Sequence, residues 1–199
     1  MIGSSNLFIA FLTFALVSSF TPGPNNTMLL LSGVNFGLRR TIPHLLGVTF
    51  GFALLVFISG LGLGELFTRW PILNEILKYG CAAYLLYLAW QILKTTAVNN
   101  NAENKKPISF FQAVLFQWIN PKAWLMAIIG ITTYAPPDHF VLNVALIIVW
   151  YIIFVFCSGG AWTLFGNWIQ NFLHRPNYLR VFNIVMAILL VASLYLIFV

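Results

Sequence analysis

Residues 21–26 read TPGPNN and interrupt a stretch, residues 7–36, that is otherwise largely apolar and carries no charge. Two prolines, a glycine and two asparagines break a helix where hydrocarbon offers the backbone no hydrogen-bond partner, so stability alone does not explain the break. Freed backbone groups persist at that depth only against protein or a water-filled cavity. The motif therefore predicts a substrate cavity inside a membrane helix.

Composition agrees. The chain of 199 residues is 60% hydrophobic and carries ten basic and four acidic side chains, with a mean hydropathy of +0.90. So few polar groups cannot cover a water-soluble globule, and the chain requires lipid around it. With about 20 apolar residues per crossing, six spans are expected: residues 5–36 with the internal break, 43–66, 71–94, 108–134 with a second break, 140–168 and 178–199. The first span shows no basic leader or small-residue cleavage site, and it is expected to stay in the mature protein.

Basic residues set the orientation. The connections after spans one, three and five, with their helix ends, hold Arg39, Arg40, Lys94, Lys105, Lys106, Arg175 and Arg180, against Arg69 on the other side. The positive-inside rule puts the first group in the cytoplasm and both termini outside. Topology thus accounts for the net charge of +6 without a nucleic-acid partner. Residues 95–107, TTAVNNNAENKKP, form the one long polar stretch and read as a cytoplasmic linker between two halves, 1–94 and 108–199. Three crossings per half invert the second half relative to the first, the plan of an inverted-repeat transporter.

The second half breaks its own first span at Asn120, Pro121 and Lys122. Small-residue clusters at Gly60 and Gly159 follow the two breaks at the same offset, and paired interruptions of this kind point to a midplane binding site. The expected site is Pro22, Gly23, Pro24, Asn25, Asn26, Asn120, Pro121 and Lys122. Its prolines free carbonyls upstream and expose N–H groups downstream. The half-helices starting near Asn25 and Lys122 would face an α-carboxylate, while the upstream carbonyls and asparagine side chains would take an ammonium. A lysine near mid-span costs roughly 2.5–3.5 kcal/mol and usually faces a bundle interior or cavity; snorkelling to a headgroup is the alternative.

Further candidates concern gating and coupling. Glu75 and Lys78, three apart at the start of span three, form either a solvated ion pair or an outer gate that Glu65 could join. His44 is a candidate titrating group at the cytoplasmic start of span two. No acidic residue lies well inside a span, which favours neutral zwitterions over strongly cationic cargo. Gly47 and Gly51 read as helix packing within one subunit. Trp118 and Trp124, flanking the second break, read as belt or core. Cys81 and Cys157 are too few for a disulfide framework or zinc site, and no cofactor or metal motif is present.

The TPGPNN break, LKYGCAAYLLYLAWQILK at residues 77–94 and FQWINPKAW at residues 116–124 resemble, in order and spacing, the LysE/RhtB family of amino-acid exporters. The likeness spans nearly the whole chain. It implies an all-α integral membrane protein of six helices that is not an enzyme. By the same resemblance, the protein exports small amino acids from bacteria across the inner membrane and depends on the proton gradient. Position by position it carries over Pro22, Gly23, Pro24 and Asn25; Lys78, Gly80 and Tyr84; and Asn120, Pro121 and Lys122. The homoserine, threonine and cysteine branch is the nearer one. Two other classes stay open: a thiol carrier using Cys81 and Cys157, and a passive channel or structural membrane subunit. A homo-oligomer is compatible with all of these.

Overall fold

The computed structural model describes residues 5–63, 69–94, 106–173, 176–192 and 194. Within them the secondary structure is helical. Helix α1 covers Ser5–Phe20 and α2 covers Pro24–Ile58, the latter passing into a π-helical turn at Ser59–Leu63; α3 covers Ile72–Lys94. Helix α4 is Phe110–Ile119, α5 is Pro121–Tyr134, α6 is Phe140–Leu173 and α7 is Pro176–Ala192. Glu65, Lys105, Arg175 and most of the linker lie outside the described residues.

Both breaks fall where the prolines put them. The last backbone bond of α1 runs from Thr21 N to Val17 O at 2.9 Å, and α2 begins with Pro24 in its first turn. Gly23 between them is fully extended (φ −177°). At the second break, α4 and α5 are bent by 72° across Asn120. Helix α4 starts from a capping box in which Ser109 and Gln112 satisfy each other's backbone N–H groups.

Helix α2 is two arms rather than one rod. Gly37 has φ +75°, a left-handed conformation suited to glycine, and Ser32 Oγ lies 2.9 Å from Thr41 Oγ1. Nine residues of unbroken helix would separate them by about 13.5 Å, so the arms fold back on each other at Gly37. The turn expected between spans one and two, beside Arg39 and Arg40, is compressed into this joint.

By length and apolar composition Phe140–Gln170 can cross a membrane in one piece, Pro24–Gly62 has the length but is folded at Gly37, and the bent pair Phe110–Ile119 and Pro121–Tyr134 together reaches the length of a broken span. Large apolar side chains stand exposed on every part of the bundle, among them Ile9, Leu61, Leu115, Val141, Phe156 and Val181, which a water-soluble monomer rarely shows.

Helices α2 and α6 approach by backbone. At Gly33 an added Cβ would strike Thr163 O, and at Gly166 it would strike Leu30 O, so each helix lays a glycine against the other's carbonyls. Gly47 and Gly51 do the same against Phe110 and Val114 of α4, which confirms their role in packing within one subunit. One apolar core joins α1, α2, α5 and α6 around Tyr151, whose hydroxyl donates to Met126 O at 2.9 Å and whose ring meets Phe11 and Phe52 edge-on. A second joins the first arm of α2 with α3, α7 and the end of α6.

Candidate substrate site between two broken helices

Helix α1 ends in unpaired carbonyls, and the rest of the bundle is built to receive them. Ser19 O accepts from Asn26 Nδ2 at 2.7 Å and from Ser158 Oγ at 2.8 Å. Phe20 O accepts from Trp162 Nε1 at 3.3 Å. Thr21 O accepts from Asn26 Nδ2 and Lys122 Nζ, each at 2.9 Å, and Pro22 O accepts from Lys122 Nζ at 3.1 Å. Lys122 Nζ also donates to Thr21 Oγ1 at 2.8 Å. The negative end of α1 thus gathers an amide, a hydroxyl, an indole and an ammonium.

Lys122 reaches that end from the first turn of α5. A cation at a helix N-terminus is opposed by its own helix dipole, while the carbonyl end of α1 attracts it, so the side chain runs from one pole to the other. It crosses over Gly23: a Cβ there would lie 2.8 Å from Lys122 Cδ and 3.0 Å from Nζ. Glycine is required at 23 by this crossing, not by its backbone angles.

Asn25 and Gln117 join the breaks a second time. Asn25 Nδ2 donates to Gln117 Oε1 at 2.8 Å and Gln117 Nε2 donates back to Asn25 Oδ1 at 3.1 Å. Gln117 is fully buried and also donates to Ala113 O. Asn120 caps α5, its Oδ1 accepting from Lys122 N at 3.2 Å. Helix α2 has no such side-chain cap, so the N–H groups of its first turn give a positive pole to the adjoining space.

That space is a cavity of about 40 Å³ lined by Ser19, Asn25, Asn26, Asn120, Lys122 and neighbouring apolar groups. Ser19 is buried, and its Oγ has no hydrogen-bond partner among the described residues. A larger groove of about 560 Å³ opens between α1 and α5 along Thr13, Val17, Thr21, Leu125, Ile129 and Tyr134. Ser18, Lys122 and Met126 line both spaces. Among the described residues no Asp or Glu lines either one.

Of the eight expected site residues, Gly23, Pro24, Asn25, Asn26, Asn120 and Lys122 line the inner cavity, while Pro22 and Pro121 flank it at the two breaks. Gln117 belongs with them and was not anticipated; the available signal was an amide three residues before Asn120 in an otherwise apolar segment. The gating candidates lie elsewhere. Glu75 and Lys78 sit on the first turns of α3, outside the lining of either cavity, and Tyr84 packs its ring against Tyr87 and Phe116, tying α3 to α4. His44, expected near the interface, is 1% exposed and its Nδ1 has no partner among the described residues. Trp118 and Trp124 pack edge to face outside the cavities, with Trp124 Nε1 donating to Trp118 O. Cys157 is free and exposed.

An apolar helical bundle in which the ends of two broken helices line an internal cavity is the plan of a membrane translocator of small molecules. The chain belongs to the LysE type translocator family, whose profile matches residues 16–197; it is a transporter and not an enzyme. It is 32% identical over 186 residues to the cysteine/O-acetylserine efflux protein of Salmonella typhimurium, covering 93% of this chain and 94% of that one. The cysteine/O-acetylserine efflux protein of Escherichia coli K12 is 30% identical over the same extent. These names accord with the homoserine, threonine and cysteine branch. No solved structure matches the chain.

Proposed function

We propose that this protein exports small neutral amino acids or their close derivatives across the bacterial inner membrane, coupled to protons and by alternating access. Six crossings form two inverted halves, 1–94 and 108–199, joined by a cytoplasmic linker at 95–107, with both termini on the periplasmic side. The observation that carries this reading is the meeting of two opposite helix poles at one cavity that also holds Asn25, Asn26, Asn120 and Lys122. The acceptor end of α1 suits an ammonium, and the uncapped start of α2 beside Ser19 suits a carboxylate. A cavity that sets amides, two serines and one lysine among apolar walls, with no described carboxylate, favours a zwitterion of zero net charge over lysine or arginine. O-acetylserine and cysteine, named for the efflux relatives, are the first cargoes to test.

Rocking of the two halves would expose this cavity to one side and then the other. Proteoliposomes with an imposed pH difference provide the test. The wild-type protein should accumulate O-acetyl-L-serine against its gradient with saturation, and collapse of the pH difference should stop accumulation. Lys122→Met keeps side-chain length, removes the charge and should abolish uptake at unchanged membrane abundance. Non-saturating flux indifferent to the pH gradient would overturn the coupled mechanism, and wild-type transport by Lys122→Met would remove the lysine from the site.

A further inference from the structure

The two spaces at the site share one charged side chain. The inner cavity is the smaller of the two spaces, about 40 Å³. The groove beyond it is more than ten times larger, about 560 Å³. Lys122, Ser18 and Met126 stand between the two spaces. Of the three, only the lysine is long, flexible and charged.

Three oxygens surround its amine: Thr21 O, Thr21 Oγ1 and Pro22 O at 2.9, 2.8 and 3.1 Å. A primary ammonium has three N–H donors and no acceptor, so three converging oxygens at a helix C-terminus form a receptor for that group in particular. We infer that the carbonyl end of α1 is an ammonium-binding seat, occupied here by the tethered ammonium of Lys122. The same side chain closes the passage between groove and inner cavity until the cargo's own ammonium takes its place. Bare Gly23 leaves room for the lysine stem to lie across the break, and withdrawal of that stem would enlarge the cavity it lines. The displaced lysine then sits within reach of the cargo carboxylate, so one exchange both admits and neutralises the zwitterion. This inference rests on the site reading above.

The test uses the purified full-length chain in detergent, with methylammonium as the probe. In Lys122→Ala the seat is vacated, and methylammonium should raise the melting temperature saturably, as mass action requires of a ligand that binds the native state. Tetramethylammonium, which has no N–H, should not, and the wild-type protein should respond to neither. Gating is read separately in a Cys81→Ser, Cys157→Ser background with Val155→Cys, which lines only the inner cavity. Aminoethyl methanethiosulfonate should label this cysteine slowly beside an intact Thr21 and markedly faster after Thr21→Val, which removes one of the three oxygens but keeps the lysine. Val17→Cys, in the groove alone, should label equally in both. A folded Lys122→Ala protein indifferent to methylammonium would overturn the seat, even if its export were lost and the site reading stood. Should Lys122→Ala not fold, the Thr21→Val labelling decides alone: equal rates at Val155→Cys would overturn the closure.

Discussion

Gly23 shows how a residue can be fixed by a neighbour 99 positions away. Its extended backbone suits any amino acid, so the requirement for glycine comes from the Lys122 stem above it. Gly23→Ala should fold, because a flexible side chain can give way, but Lys122 would leave its oxygens. Export should then fall by about tenfold, the scale of one charge-assisted hydrogen bond, as measured by proteoliposome uptake at matched protein levels. Gln117→Leu leaves the amide of Asn25 without its reciprocal partner at the buried joint between breaks. A stability loss of about 1–3 kcal/mol is expected from the orphaned group, measurable by denaturation in detergent micelles. Gln117→Glu would place a charge there and should be worse.

At the scale of elements, proline and glycine act in opposite ways. Pro22 follows the end of α1 while Pro24 and Pro121 open α2 and α5, and these interruptions create poles, whereas Gly33 and Gly166 bring α2 and α6 together backbone to backbone. Where the atom opposing a glycine is a carbonyl of another helix, nothing can yield without parting the helices. Gly166→Leu should therefore exceed the roughly 1–3 kcal/mol typical of overpacking and remove folded protein from the membrane. Gly160, on the same helix with no heavy atom near a prospective Cβ, gives the control. Gly160→Ala should be neutral or stabilising by up to about 1 kcal/mol. Immunoblotting of membranes and fluorescence-detected gel filtration would separate the two outcomes.

Across the whole molecule, an apolar exterior encloses apolar cores into which a smaller set of polar residues is built. Exposed Leu115, Val141 and Phe156 contrast with buried Asn26, Gln117, Asn120, Ser158 and Thr163. Cys157 lies on the exposed side of this division, away from the broken ends where thiol chemistry would meet a polarising group. Replacement of both cysteines by serine is expected to leave export unchanged in vesicle assays. Abolished transport with preserved folding would instead favour a thiol carrier.

The positions of the breaks, the class of protein and the family were all legible in the sequence. They depend on local chemistry: missing N–H groups at proline, runs of apolar residues, and the order of three motifs. The eight expected site residues could be named for the same reason, since each lies in or beside an interruption. What those residues do to one another was decided only by tertiary structure. Seen alone, Lys122 offered a carboxylate partner or a snorkelling cation, and the carbonyls above Pro22 offered an open ammonium site. Folding brings α5 against the end of α1, and each then satisfies the other. The pairing of Asn25 with Gln117 and the burial of His44 were hidden likewise, because contacts between residues far apart in sequence depend on helix packing and leave no local periodicity to read.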